Sequence, residues 1–262
     1  MTTFLQATVE GLSLAAIYSL VAIGFVLIYK SMDVLSFAQP ALAVVGAGII
    51  SALAVDRGFP FLPSLFLAIL LTGILSAIVE RTFLRPMVGE PVFAVAVLTI
   101  GIDILLRTLL DSWIGVSPRY LGDPFPTYGT LGSFNVAGVN LKYLEISALI
   151  TAIILISILS IFFKKSKYGV AMRATSFDQE AALAQGVNVG RIFGLVWFIA
   201  GILAAFSGFF MTGGFNTLSP LSFAKALRAL PAVVIGGLDS IPGAIVGSII
   251  IGLTQGLSLI HI

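Results

Sequence analysis

Cysteine is absent from this 262-residue chain, so neither disulfides nor thiolate metal sites contribute to its fold. Charge is scarce as well: Asp, Glu, Lys and Arg make up 10% of the residues, where a soluble domain carries about 25%. So few charges cannot cover a water-facing surface of this size. With 58% hydrophobic residues and a mean hydropathy of +1.11, most of the surface must face lipid. The net charge of +2 is too small to point to nucleic acid. No G-x-x-x-x-G-K-[ST] sequence occurs, so the chain has no phosphate-cradling loop with which to hydrolyse ATP itself. H-E-x-x-H and G-x-S-x-G are also missing, and the single histidine, His261, lies at the end of the chain. That leaves no metal-ligand cluster, no cofactor motif and no nucleophile–base pair for an intramembrane hydrolase. The opening MTTFLQATVEG has neither a basic region nor a small-residue cleavage site, so the first apolar stretch is expected to stay as a span.

What is present is a succession of apolar runs. Stretches near 9–29, 61–80, 92–113, 143–163, 191–212 and 242–260 match the roughly 17 to 25 residues that a helical crossing needs. Two shorter ones, about 38–55 and 223–238, fit full, tilted or broken helices. Open sheet edges cannot be satisfied in hydrocarbon. The expected fold is therefore all-α, a polytopic helical membrane protein with about eight transmembrane segments forming one domain over 1–262.

The only long polar interruption is KKSKYGVAMRATSFDQEAALAQGVNVGR, residues 164–191. Lys164, Lys165, Lys167, Arg173 and Arg191 place it on the cytoplasmic side. With both short segments crossing, Lys30, Arg81 and Arg85 fall on that side too, against Arg57, Arg119 and Lys142 on the other. The N-terminus is then outside, as is the loop 114–142, whose Gly, Pro and Asn content predicts turns with a short hairpin. That loop either receives an external partner or is a plain connector.

Inside 164–191, Ser176 and Gln179 have the spacing of a capping box and Gly186 stands where a helix-ending glycine belongs. The spacing predicts a helix over 177–185, about 13 Å long. Phe177, Ala181 and Ala184 form its apolar stripe, and alanines at 181, 182 and 184 keep it thin enough to enter a groove. Glu180 and the nearby basic residues could fix register by ion pairs. Such a helix either docks on a cytoplasmic partner or lies on the bilayer.

Three further features stand out. Asp103, Arg107 and Asp111 share one helix face at i, i+4, i+8. Ionisable groups at membrane depth face a bundle interior or a wet cavity, so Asp103 and Arg107 either line a path for a zwitterion or lock helices together as an ion pair. In 225–243, Lys225, Arg228, Pro231, Gly236-Gly237 and Pro242-Gly243 suggest either a discontinuous helix beside a transport path or a tight turn, with Asp239 capping the next helix. Gly243–Gly247 and Gly252–Gly256 permit close helix packing, within the subunit or across a dimer.

The stretch RATSFDQEAALAQGVNVGRIFGLVWFIAGILAAFSG (173–208) closely resembles the coupling loop and next helix of branched-chain amino acid ABC transporter permeases. GLSLAAIYSLVAIGFVLIY (11–29), ERTFLRPM (80–87) and ALPAVVIGGLDSIPGAIVGSIIIG (229–252) match in the expected order, so the resemblance runs from about residue 9 to 256. It implies a bacterial or archaeal inner-membrane permease of an ATP-driven importer. Arg173, Phe177, Glu180, Ala181, Ala182 and Gly186 would then couple to a cytoplasmic ATPase. Phe37, Gln39, Asp103, Arg107 and Pro231 are the path candidates. The implied partners are a second permease, two cytoplasmic ATP-binding subunits that hydrolyse the ATP, an external solute-binding protein, and membrane lipid. Relatives of this kind also carry other amino acids, amides and urea; an ATP-independent channel is the reading from a different class. The chain departs from the family pattern in three places. Gln39 is followed by Pro40 rather than Gly, which predicts a helix starting at Pro40. Asp103 replaces a small polar residue. The family continues past Gly256 with one more span and a basic tail, so LSLIHI is expected to be non-native and a C-terminal crossing to be missing.

Overall fold

Hydrocarbon offers no partner to a main-chain N–H or C=O, so each long apolar run closes its own hydrogen bonds as a helix. The computed structural model of the chain describes residues 2–121, 132–136, 138–213 and 217–258. Seven of its helices are long and apolar enough to cross a membrane. They begin with α1 (Thr2–Met32), α2 (Gln39–Ser51, prolonged by a π turn at Ala52–Asp56), α3 (Phe61–Val79, prolonged by a π turn at Glu80–Leu84) and α4 (Val92–Ile114). A hairpin of β1 (Ser133–Val136) and β2 (Val139–Lys142) precedes α5 (Tyr143–Lys165). Two short polar helices, α6 (Lys167–Phe177) and α7 (Gln179–Ala184), lead into α8 (Val189–Thr212). The chain continues with α9 (Ser222–Leu227), α10 (Ala229–Gly236) and α11 (Ile241–Ser258).

The 223–238 run is the exception to unbroken helices. It folds as two pieces of six and eight residues, split at Arg228, which caps the end of one and the start of the next. Pro231 explains the break: it lacks the N–H that would have bonded the carbonyl of Leu227 four residues back. In the first turn of α10 that missing donor is tolerated. Seven helices thus qualify as crossings, close to the eight expected, and the split pair carries the chain from the end of α8 to the start of α11.

The two ends of the bundle differ in charge, as the loop composition predicts. Lys30, Arg173 and Ile241 line one pocket, and Arg85 reaches the carbonyl of Gly190, so basic residues of three loops gather at one end. The other end holds Arg119 paired with Asp56 at 2.7 Å and Lys142 paired with Glu145 at 2.8 Å. Burial alone would lower the Lys142 ammonium, but the carboxylates of Glu145 and Glu10 outweigh it and hold the group above its usual value. The predicted hairpin lies at this end. Gln6 ties it to α1 by donating to the carbonyl of Asn140 at 3.0 Å and accepting from its N–H at 2.8 Å. Residues 122–131 of the expected outer loop and 259–262 of the tail lie outside the described residues.

The core sits on α1 and α8. From Ala15 to Ile28, α1 is buried without interruption. Trp197, Ala200 and Ala204 of α8 are buried against it and against α2 and α3. Apolar packing contributes little selectivity among helices that lipid solvates equally well, so polar contacts fix the register. Ser76 donates to the carbonyl of Trp197 at 2.7 Å, Ser207 to that of Ile17 at 3.1 Å, and Gln39 to that of Ala200 at 3.0 Å. The outer faces of α3, α4 and α5 remain apolar and exposed, as lipid contact requires.

The glycine pairs of α11 report packing inside the subunit. Gly243 and Gly247 lie against α10, while Gly252 and Gly256 lie against Gly11, Ala7 and Ala15 of α1. A Cβ added at Gly256 would stand 2.6 Å from the carbonyl of Ala7. One expectation is corrected here: Ser240, not Asp239, caps α11, its hydroxyl accepting from Gly243 N–H at 3.0 Å. Asp239 sits one residue too early to reach that turn.

Gly256→Val should therefore prise α11 from α1, with an overpacking cost of ~1–3 kcal/mol. Gly101→Ala, where an added Cβ meets nothing within 4 Å, should leave stability unchanged. Thermal unfolding of the two variants in the same detergent checks the contrast, and equal melting temperatures would contradict this packing.

Candidate functional site

The 164–191 segment is the first site. Ser166 opens α6 by accepting from Gly169 N–H at 2.9 Å, and α6 continues through Phe177, further than the capping-box spacing predicts. The cap of the next helix is accordingly Asp178, which accepts from Ala181 N–H at 2.9 Å. Ser176 instead turns back to the carbonyl of Arg173. The predicted single helix over 177–185 thus becomes the end of α6 followed by the six residues of α7. Its other end is as expected. Gly186, at φ +81, receives the chain in the left-handed region, and Val187 N–H bonds the carbonyl of Ala182 while Gly186 N–H bonds that of Leu183.

Phe177 is 95% exposed, an unusual position for an aromatic ring. Ala181, Ala184 and Glu180 are exposed beside it, and among the described residues Glu180 makes no ion pair. Phe177, Ala181 and Gln185 line an open groove of about 530 Å³ with Val170 and Val187 from the flanking segments. Arg173 borders the groove while its guanidinium donates to the carbonyl of Phe163, holding α6 to the last turn of α5. Ala182 turns the other way. It is buried against Val189 and Phe193 of α8, so it anchors the helix and presents no surface to a partner. Gln179 adds a bond of 3.3 Å to the carbonyl of Ser31 at the end of α1. The exposed face of α7 is therefore held to the two central helices.

A second constellation at this end was not anticipated. Glu80, fully buried, receives both Nε and Nη2 of Arg85 at 3.0 and 2.8 Å, and Nη2 also donates to the carbonyl of Gly190 at 2.6 Å. A five-residue separation puts two side chains on different faces of an α-helix. The π turn at Glu80–Leu84 brings them together. The result is a clamp from the end of α3 to the first turn of α8, directly after the α6–α7 segment.

Within the bundle the remaining candidates separate. α2 begins at Gln39 with Pro40 in its first turn, as the proline predicts. Gln39 is fully buried and occupies the space left by Gly24, where a Cβ would collide with its amide. Among the described residues its Oε1 has no partner, nor has the buried hydroxyl of Ser36. Phe37 is half-buried, and its N–H donates to Thr99 of α4 at 3.0 Å. Asp103 and Arg107 form an i, i+4 ion pair at 2.5 Å, with the guanidinium 4.0 Å over the ring of Phe223. This pair closes on itself and joins α4 to α9. Pro231 is exposed, and its structural effect is the break before α10.

The family described as the permease component of branched-chain amino acid transport systems matches residues 7–262. The high-affinity branched-chain amino acid permease protein BraD of Pseudomonas aeruginosa is 26% identical, over 96% of this chain and 85% of its own length. The corresponding protein LivH of Escherichia coli is 27% identical, over 97% and 86%. A probable branched-chain amino acid permease of Methanocaldococcus jannaschii is 25% identical, over 93% and 78%. No solved structure matches this chain.

The clamp makes a measurable claim. Arg85→Ala leaves the Glu80 carboxylate buried and unpaired. The partial exposure of Arg85 keeps the cost below that of a fully buried pair, at ~2–3 kcal/mol. Adding Glu80→Gln to Arg85→Ala should recover part of that loss, because no buried charge remains. Denaturation midpoints of the single and double variants, read in one lipid nanodisc preparation, test the coupling.

Proposed function

The chain belongs to the family of permease components of branched-chain amino acid transport systems, and from that membership we propose that it forms half of the membrane path of an ATP-driven importer for branched-chain amino acids. The basic end of the bundle faces the cytoplasm. The exposed face of α6–α7, centred on Phe177, Glu180 and Ala181, docks on a cytoplasmic ATP-binding subunit there. A second permease completes the path, a second ATP-binding subunit serves it, and an external solute-binding protein delivers solute at the opposite end, where the hairpin lies. ATP is hydrolysed by the partner subunits. The assembly sits in the inner membrane of a bacterium or archaeon.

The observation that carries this reading is the exposed Phe177 beside an open groove, on a short helix fixed through Ala182 to α8 and through Gln179 to α1. An exposed aromatic at the rim of a groove is a common anchor for a partner. Closure of two ATP-binding subunits would displace α7, and its attachments would carry the displacement to α8 and α1. The clamp of Arg85 on Gly190 adds α3 to the same unit. Rocking of these helices against the rest alternates access to the midplane.

Vesicles holding this permease, its partner permease, both ATP-binding subunits and the solute-binding protein should accumulate labelled leucine only with ATP on the cytoplasmic side. Ala181→Trp and Glu180→Lys, which block and reverse the docking face, should abolish accumulation while solute-stimulated binding-protein capture persists. Accumulation of urea or acetamide in place of leucine would reassign the solute. Movement of solute without ATP and only down its gradient would overturn the importer reading.

A further inference from the structure

A pocket of about 130 Å³ lies at the basic end of the bundle, where the end of α1 meets α6. Lys30 and Ser31 line it from the last turn of α1, and Arg173 and Ser176 line it from α6. Phe163 of α5 and Val196 of α8 supply apolar wall, and Ile241 is the first residue of α11. Both hydroxyls already donate to main-chain carbonyls, Ser31 to Ile28 at 2.9 Å and Ser176 to Arg173 at 3.0 Å. Recognition at this pocket is therefore left to its two cations.

Among the described residues the Lys30 ammonium makes no ion pair, and Arg173 uses one Nη1 N–H on the carbonyl of Phe163. No carboxylate among the described residues lines the pocket. Two like charges in one half-enclosed space repel each other, and a bound anion relieves both. The positive end of α11, an 18-residue helix, reaches the same pocket at Ile241. Three observations favour a lipid over a soluble anion. Lys30 stands two residues from the end of α1, where a crossing helix leaves the hydrocarbon. The helix that supplies Phe163 exposes Ile153, Ile158 and Ile161 along its length, as lipid contact requires. Lys164, Lys165 and Lys167 follow it and are exposed, so with Lys30 and Arg173 they form the kind of juxtamembrane basic cluster that attracts anionic lipid. At about 130 Å³ the pocket is well below the roughly 300 Å³ at which sites for drug-sized ligands begin, which suits a phosphate and not a nucleotide.

We propose that this pocket binds the phosphate of an anionic phospholipid of the cytoplasmic leaflet, held between Lys30 and Arg173 with its acyl chains along α5. The bound headgroup joins α1 to α6, the helix that ends at the exposed Phe177. It thereby braces the segment that the importer reading assigns to docking. Only the meaning of the brace rests on that reading; the binding needs no more than the membrane placement of the chain. A zwitterionic lipid carries an ammonium that the same two cations repel, so phosphatidylcholine gains little here.

The test reconstitutes the assembled complex, and separately the full-length permease by itself, in phosphatidylcholine vesicles containing phosphatidylglycerol with a photoreactive group near its ester. Phosphatidylcholine bearing the same group is the control, and crosslinked residues are mapped by mass spectrometry. Phosphatidylglycerol should label residues 163–172 about tenfold more than the control does, the size expected of two cations beside an anionic headgroup. Lys30→Gln should cut that excess about fivefold, and Lys30→Arg should restore it. Phosphatidylglycerol should also raise the melting temperature of the unaltered chain more than that of Lys30→Gln, a comparison that shows at once whether the variant is folded. Equal labelling by the two lipids, or an excess unchanged in folded Lys30→Gln, overturns the proposal. Displacement of the label by inorganic phosphate would reassign the pocket to a soluble anion, and displacement by leucine to the solute. Labelling of the lone permease that vanishes in the assembled complex would assign the pocket to the ATP-binding subunit. Each of these three results overturns the lipid site as well. A complex that imports no leucine while the labelling preference persists would sink the importer reading and leave the lipid site standing.

Discussion

A main-chain amide left unpaired in hydrocarbon costs several kcal/mol, and this cost shapes nearly every element of the chain. Seven apolar runs meet it by closing as continuous helices. The short polar helices α6 and α7 lie at one end of the bundle, where water can satisfy their termini and where Ser166, Asp178 and Gly186 supply the caps. The interruption at Arg228 lies beside a partly polar cavity that the Arg228 side chain helps to line. Pro231, exposed in the first turn of α10, breaks the run at a position where its missing N–H is tolerated.

The same constraint explains how the bundle selects its neighbours. Lipid tails solvate an apolar helix as well as another helix does, so specific pairing must come from close backbone approach and from hydrogen bonds. Both converge on the two central helices. α11 reaches α1 through glycines at 252 and 256, and α8 receives side chains from α2 and α3 at the carbonyls of Ala200 and Trp197. The functional segment is grafted onto this centre and not onto the periphery. Ala182 enters the hydrophobic cluster with Val189 and Phe193, and Gln179 reaches the end of α1. A force on the exposed ring of Phe177 therefore has rigid elements to act on, whereas the same ring attached to α5 would push a helix with few buried contacts.

The architecture was legible where it depends on composition and on local rules. Hydropathy located the spans, the basic residues sorted themselves by end, Pro40 began α2, and Gly186 ended α7. Local rules failed where two local solutions competed. Ser176 and Asp178 are both good caps, and the choice between them depended on how far α6 ran, which no capping pattern records. Asp239 and Ser240 present the same ambiguity, decided by a one-residue difference in reach. Glu80 and Arg85 went unnoticed because their spacing is wrong for an α-helix and right only once a π turn intervenes. Tyr18 and Gln255 were invisible for another reason: 237 positions separate them, and only the packing of α11 on α1 brings them to one wall.

Two arginines at membrane depth show how similar chemistry can serve different ends. Arg107 is consumed locally. Its partner Asp103 lies one turn away on the same helix and receives it through Oδ2 alone, Oδ1 having no partner among the described residues, while the flat guanidinium rests on Phe223 and joins α4 to α9. Such a pair is neutral as a unit and projects little field into its surroundings. Arg228 has the opposite arrangement. It lies within electrostatic reach of Lys225, at the start of α10, beside the neutral side chains of Tyr18 and Gln255. The Asp103–Arg107 pair spends its charge on positioning the helix that carries it. Because Phe223 and Lys225 occupy opposite faces of α9, the contact of Phe223 with Arg107 fixes which way Lys225 turns.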